Sequence, residues 1–555
     1  MDEGTIDPLA PVGTQDPTPA GLSPAPEDLL APTRAGRRWI VVIVAAVVGL
    51  IAAGAVAAFF VLRGSGEMLL DAVPADADAV VAAYLDPAAS QKVNLLRMVE
   101  RFPELGDEAQ LQERVDETLD DLLEGTGLTH QDLGWVGDEV AIWFDVESGS
   151  ADGAVLVHSS DREAAERAME KVLDTAGGEP ISSDHLGVTV WSVDDGALAL
   201  VDDVVILGSD DVAVEQTVDV MRGEEAALDT SEEFLEITQT LPEAKLILGY
   251  VDVGQVLEGL EGLVPPDVAG SPLSAGQASR MAFVVVAEDD GIALEAVQAN
   301  DTEAMDPALV EALNEPPHAN TTLPLVPADA YGVFAMEQLE AFETALASVQ
   351  DTDPELAAQM EELGITGPDG IVASVTGDLA FEASPDPSGP VGGAVLIGVE
   401  DEERWLRFLE ENLGGLPETA IVEEDHAGTT IWALQARGGG PVFPFPASWA
   451  VVDGILVVGT SPEHVGRIVE TAAEGAGGLA ADGGFTQAFP NPDLDTLMYV
   501  DTPAILAAIR QQFPPEDLTI FDEDVGRYWD PVGYVAASSD GDATSNRSRV
   551  FVQVP

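Results

Sequence analysis

Two Asp-His pairs carry the residue types best suited to chemistry. Asp184-His185 opens DHLGVTVW at 184–191, and Asp425-His426 opens DHAGTTIW at 425–432. A carboxylate that orients an imidazole makes a general base. Consecutive strand residues, however, point to opposite faces, so an Asp seldom orients the His beside it. Asp-His-x-Gly ahead of a β-rich run reads more simply as a turn, with Gly187 and Gly428 at positive φ. Asp184, His185, Asp425 and His426 are therefore weak catalytic candidates. The chain has no Gly-x-Ser-x-Gly elbow, phosphate-binding glycine loop or His-Glu-x-x-His helix. His130, His158, His318 and His464 stand alone and read as strand-end or surface histidines.

Hard-oxygen metal sites are the next possibility. Asp522, Glu523 and Asp524, or Asp540 and Asp542, would suit calcium, but neither run has the alternating ligands and glycine bend of a calcium loop. They read as solvated faces. The absence of cysteine removes thiolate metal ligation, disulfides and a Cys nucleophile. No metal and no cofactor is expected. The one conspicuous binding element is GGGPVFPFPAS at 438–448, where Phe443 and Phe445 sit among prolines. A stiff aromatic loop suits gripping an envelope protein or a glycan. Its alternative is to fold back over a sheet edge.

Charge limits the partners. The chain has 555 residues, 101 Asp plus Glu against 22 Lys plus Arg, and a net charge of −79. That excludes nucleic acid, which is held by clustered cations, and disfavours an anionic membrane surface. A hydrophobic fraction of 46% is enough for real cores, so the charge does not signal global disorder. The length suits two to four domains.

The elements that would position these residues begin with an anchor. Residues 39–62, WIVVIVAAVVGLIAAGAVAAFFVL, hold no charge and predict a transmembrane helix of about 36 Å. Arg34, Arg37 and Arg38 precede it and Arg63 follows, which places the amino terminus in the cytoplasm and the rest outside. Ala45, Gly49, Ala53 and Ala57 would let two anchors pack as a homodimer, although an Ala-rich helix without a partner is the simpler reading. Residues 1–38 read as a Pro-rich acidic cytoplasmic tail.

The outer part repeats. Besides the DHxGxTxW pair, GAVLV at 153–157 returns as GAVLI at 393–397, Gly137-Asp138 as Gly377-Asp378, Tyr250-Val-Asp as Tyr499-Val-Asp, and VPADA at 73–77 again at 326–330. Two modules, 69–301 and 322–555, joined by a linker at 302–321, follow from this order. Within each, β-rich runs alternate with helical stripes and tight turns. Asp86, a capping box at 160–163 and Ser209 are expected to start helices, and Ser461-Pro462 to start the counterpart of the last. The fold class is α+β, with antiparallel sheets covered on one face by helices.

The anchor followed by VPADADAVVAAYLD, GDEVA and GAVLV resembles an uncharacterised family of single-pass bacterial surface proteins, the domain of unknown function 3352 type. The resemblance spans the anchor and the outer part, and it implies a topology with no activity attached. The resulting expectation is a non-catalytic, membrane-anchored protein that binds or senses something outside the cell. An envelope hydrolase with its site between the repeats and an envelope scaffold are the alternatives.

Overall fold

The computed structural model describes residues 69–555 apart from internal stretches, chiefly 103–115, 260–277, 338–357 and 437–447, with a few shorter breaks. The anchor at 39–62 and the tail lie outside the described residues, as do Phe443 and Phe445. Among the described residues no helix is long and apolar enough to cross a membrane.

Among the described residues twenty strands form one antiparallel sheet. The first ten are β1 Ala79–Tyr84, β2 Val136–Glu147, β3 Ser150–Ser159, β4 Ile181–His185, β5 Val188–Val193, β6 Gly196–Val201, β7 Val204–Gly208, β8 Ile247–Asp252, β9 Ala278–Glu288 and β10 Gly291–Asn300. They pair in the order β4-β5-β6-β7-β3-β2-β1-β8-β9-β10. The second ten are β11 Gly332–Met336, β12 Val375–Asp386, β13 Gly389–Val399, β14 Thr419–His426, β15 Thr429–Ala436, β16 Ser448–Val452, β17 Ile455–Gly459, β18 Thr496–Asp501, β19 Tyr534–Gly541 and β20 Ser545–Gln553. Their order, β14-β15-β16-β17-β13-β12-β11-β18-β19-β20, is that of the first ten. The halves join where β10 pairs with β20 along nine residues. Instead of two separate sheets, the chain builds one, with β4 and β14 at its edges.

Strand alternation puts apolar residues on both faces, and helices cover both, which corrects the one-face expectation. One continuous core runs under both halves. It includes Val80, Ala141, Leu156 and Val284 in the first half and Val333, Ala380, Leu396 and Ala536 in the second. The helices Asp211–Arg222 and Pro462–Glu474 seal it through Val214 and Val218, and through Val465, Ile468 and Val469. On the other face two separate clusters form, one under helix Arg162–Thr175 through Ala165, Ala168 and Met169, the other under helix Glu402–Gly414 through Trp405.

The helix starts differ in detail from the sequence expectation. Asp161 caps the helix at Arg162, accepting from Ala164 N at 3.1 Å, and no 160–163 capping box forms. Asp210 caps the helix at Asp211, because the Ser209 hydroxyl is taken by Gly153 N at 3.1 Å. Asp86 caps nothing: its side chain is buried against Lys92. Ser461 does cap its helix, accepting from His464 N at 2.9 Å, with Pro462 at the first helical position.

Candidate functional site

Both Asp-His pairs stand at the ends of edge strands. His185 closes β4, and Leu186 and Gly187 turn the chain into β5 with φ of 50° and 81°; Ala427 and Gly428, at 53° and 88°, do the same between β14 and β15. Positive φ at both central residues is the mark of a type I′ hairpin, whose twist matches that of the strands. Neither imidazole uses its neighbouring Asp. His185 Nε2 lies 2.6 Å from Asp219 Oδ1, with Glu215 Oε2 at 3.8 Å from Nδ1, and His426 Nε2 lies 2.9 Å from Glu470 Oε1. Asp184 and Asp425 are exposed, and among the described residues neither is the partner of its neighbouring histidine.

Each pair thus ties an edge hairpin to the helix beneath it. The two pairs sit at opposite ends of the strand order, and each histidine is bonded to the helix of its own half. Histidine–carboxylate contact is also common to the whole chain. His130 meets Asp120, His158 meets Asp138, His318 bridges Glu337 and Asp378, and His464 meets Glu382. With 101 acids and six histidines, such contact does not by itself mark catalysis.

A groove of about 580 Å³ opens beside the β4–β5 turn. Its floor is apolar, from Met169, Leu173, Trp191 and Leu200, and its rim holds Arg162 and Arg222. Both arginines are engaged. Arg162 Nε bonds Glu166 at 3.1 Å and its Nη1 donates to the Asp202 carbonyl, while Arg222 Nη1 reaches Asp202 Oδ2 at 3.3 Å. Asp202 holds φ at 50° in the β6–β7 turn, which presents its carbonyl and carboxylate to both guanidiniums. The groove has a polar rim and a greasy floor, suited to an amphipathic ligand. It contains no nucleophile with an adjacent base. In the second half Trp405 and Trp449, 9% and 1% exposed, belong to the buried cluster under helix Glu402–Gly414.

Two buried polar features escaped the sequence reading. β2 and β12 carry the same bulge, pairing being interrupted between Val136 and Val140 and between Val375 and Leu379. Glu139 and Asp378 therefore occupy corresponding positions, one residue off the Gly-Asp match in the sequence. Each is buried and accepts the backbone N–H where the chain enters its half: Leu69 N to Glu139 at 3.2 Å, and Thr321 N to Asp378 at 3.0 Å. In the second half His318 adds a clamp, with Nδ1 3.2 Å from Glu337 and Nε2 3.1 Å from Asp378. Burial raises the Glu337 carboxyl above its ordinary range, opposed by the N–H of His318.

The second feature is the pair His464–Glu382, both side chains fully buried and 2.5 Å apart. In the first half Trp143 stands in the place of Glu382, donating from Nε1 to Thr217 at 3.2 Å, and Ala213 in that of His464. Among the described residues His464 Nδ1, Glu382 Oε2 and Ser384 Oγ find no hydrogen-bond partner. Gly392 makes room for the ring, since a Cβ there would lie 2.3 Å from His464 Nδ1. The signal available in the sequence was the mismatch of Trp143 with Glu382 between otherwise matching strands.

Among the described residues no group of three or more His, Asp or Glu is placed to hold a metal ion. Asp522 pairs instead with Arg510 at 2.8 Å, and Asp542 folds back on Thr544 and Ser545.

The chain belongs to the family described as protein of unknown function (DUF3352), which matches residues 41–406. No functionally curated protein matches it. Similar solved structures include crystal form IV of TP0453, with 12% identity, a TM-score of 0.25 and coverage of 45% of this chain and 86% of that one. Crystal form III matches with 12% identity, a TM-score of 0.24 and coverage of 46% and 90%.

Proposed function

We propose that the protein is a non-catalytic, membrane-anchored binding or sensing protein, held by residues 39–62 with its amino terminus in the cytoplasm and two homologous tandem modules outside. The observation that carries the modular reading is the shared pairing order of β1–β10 and β11–β20, with the interruption between Val136 and Val140 matched between Val375 and Leu379. The reading as a binder is supported by where the candidate bases stand. Each is spent on bracing a hairpin, at opposite ends of the sheet, beside an exposed aspartate that does not orient it.

The partners proposed are the bilayer, through the anchor, and an envelope protein or glycan. Nucleic acid is disfavoured by the charge of −79. External protease on intact cells is expected to digest the part beyond Arg63 and spare the first 38 residues; protection of the outer part overturns the topology. Replacing His185 and His426 together with Asn is expected to leave envelope binding intact, and loss of function in a folded double variant brings the hydrolase forward.

A further inference from the structure

On the sheet face away from the continuous core, one cross-strand row is apolar throughout. Phe381 on β12 pairs in register with Phe334 on β11, Phe334 with Met498 on β18, Met498 with Ala537 on β19, Ala537 with Val550 on β20, and Val550 with Leu294 on β10. The rows on either side, which start from Leu379 and from Ala383, hold no charged side chain across the same six strands. That is unusual in a chain that is 22% charged. The helices Arg162–Thr175 and Glu402–Gly414 cover the two ends of this face. Along the middle, Phe381, Phe334, Val550 and Leu294 stay 46%, 36%, 38% and 38% exposed. The two phenylalanine rings lie 6.3 Å apart, centroid to centroid, tilted by 39°.

Five strand-to-strand steps of about 4.8 Å make the row about 24 Å long. One leaflet of a bilayer hydrocarbon core is about 15 Å deep, the reach of one lipid chain. A second copy of this protein would bring a like charge of the same size against the row and is repelled. An uncharged chain meets no such opposition.

We infer that this row holds one acyl chain of an uncharged or zwitterionic lipid from the leaflet beside which the modules stand. The source rests on the proposed anchor. Leu69 follows Leu62 by only seven residues, a reach of about 25 Å at most.

The chain has no cysteine, so Val550→Cys carries a single fluorophore. The full chain is placed in phosphatidylcholine vesicles that contain phosphatidylcholine with a nitroxide either on the acyl chain or on the headgroup. Severalfold stronger quenching by the acyl nitroxide is expected, with little quenching of the same dye at Ser182→Cys on the exposed edge strand. Phe334→Asp with Phe381→Asp is expected to abolish the acyl preference. Stronger quenching by the headgroup nitroxide, or equal quenching at both sites, overturns the inference, and this comparison needs no Phe variant to fold. Emission that shifts with protein concentration in the absence of lipid also overturns it, in favour of self-association. Flotation with the vesicles separates the two readings. If the chain floats without an acyl preference, the row alone fails. If it does not float, the anchor fails, and lysophosphatidylcholine titrated onto the Val550→Cys chain tests the row directly: a saturable shift in the emission of its dye supports it, and no response overturns it.

Discussion

His464 and Glu382 pose the sharpest question at the residue scale, because the first half solves the same packing problem with Trp143 and Ala213. A buried hydrogen-bonded polar pair must offset the desolvation of both groups, and an apolar replacement of the same shape can be nearly neutral or stabilising. Glu382→Ala is expected to cost about 1–3 kcal/mol, since it leaves the buried His464 imidazole without its hydrogen-bond partner. Glu382→Trp with His464→Ala, which imports the first half's arrangement, is expected to be neutral or stabilising in chemical denaturation. If the double variant is as damaged as the single one, the pair has a role that packing does not explain. Asp145 offers a second residue-scale test. Burial, with Asp78, Asp76 and Asp152 nearby, lifts its carboxyl to about 6. A folded pKa above the unfolded value means that the native state binds the proton more tightly, so stability from this group is gained as pH falls through 6 and lost as pH rises. Asp145→Asn is expected to be more stable than the parent by about 1 kcal/mol at pH 7.5, discounted for partial exposure, and no more stable near pH 4. Equal offsets at both pH values refute this.

Among elements, the hairpins show what was legible. Gly187 and Gly428 announced their turns, because Gly tolerates the positive φ that a type I′ turn demands. Gly187→Ala is expected to cost about 1 kcal/mol, and Leu186→Asn to recover part of it, as read by thermal melts. The caps were less legible. Ser209 and Asp210 are adjacent candidates, and only the β3 backbone, which draws the Ser209 hydroxyl to Gly153, decides between them. β6 offers no periodic signal at all. Its GALALV carries apolar residues on both faces, so a strand buried on both sides shows no alternation. The acids along the outermost strands, Asp184 on β4 and Glu423, Glu424 and Asp425 on β14, are legible only in hindsight. They blunt the open edges of a very wide sheet, where a bare apolar edge would template aggregation.

For the whole molecule, the sequence repeat pointed to two units, but nothing in periodicity or composition could reveal that the units share a sheet. That depends on β10 meeting β20, a contact between segments some 250 residues apart. Charge acts at this scale as well. Residues 64–555 carry 95 acids against 18 Lys plus Arg, and folding concentrates them. The Debye length shrinks from about 10 Å at 0.1 M salt to about 3 Å at 1 M, so sodium chloride is expected to raise the melting temperature progressively up to about 1 M. A flat sodium response with steep, saturable stabilisation by calcium identifies a specific cation site instead.

The β10–β20 seam also sets an order of events during synthesis. The first half can pair its own strands as they emerge, yet the free side of β10 finds its partner only when the final segment, Ser545–Gln553, is delivered. Until then β10 and β19 face each other across a missing strand, two long edges held close by the rest of the chain. A chain that stops after Gly541 never closes that gap. It is expected to be captured by chaperones or to scavenge a β20 from a neighbour, so a late stop codon would be felt at the centre of the molecule rather than at its rim.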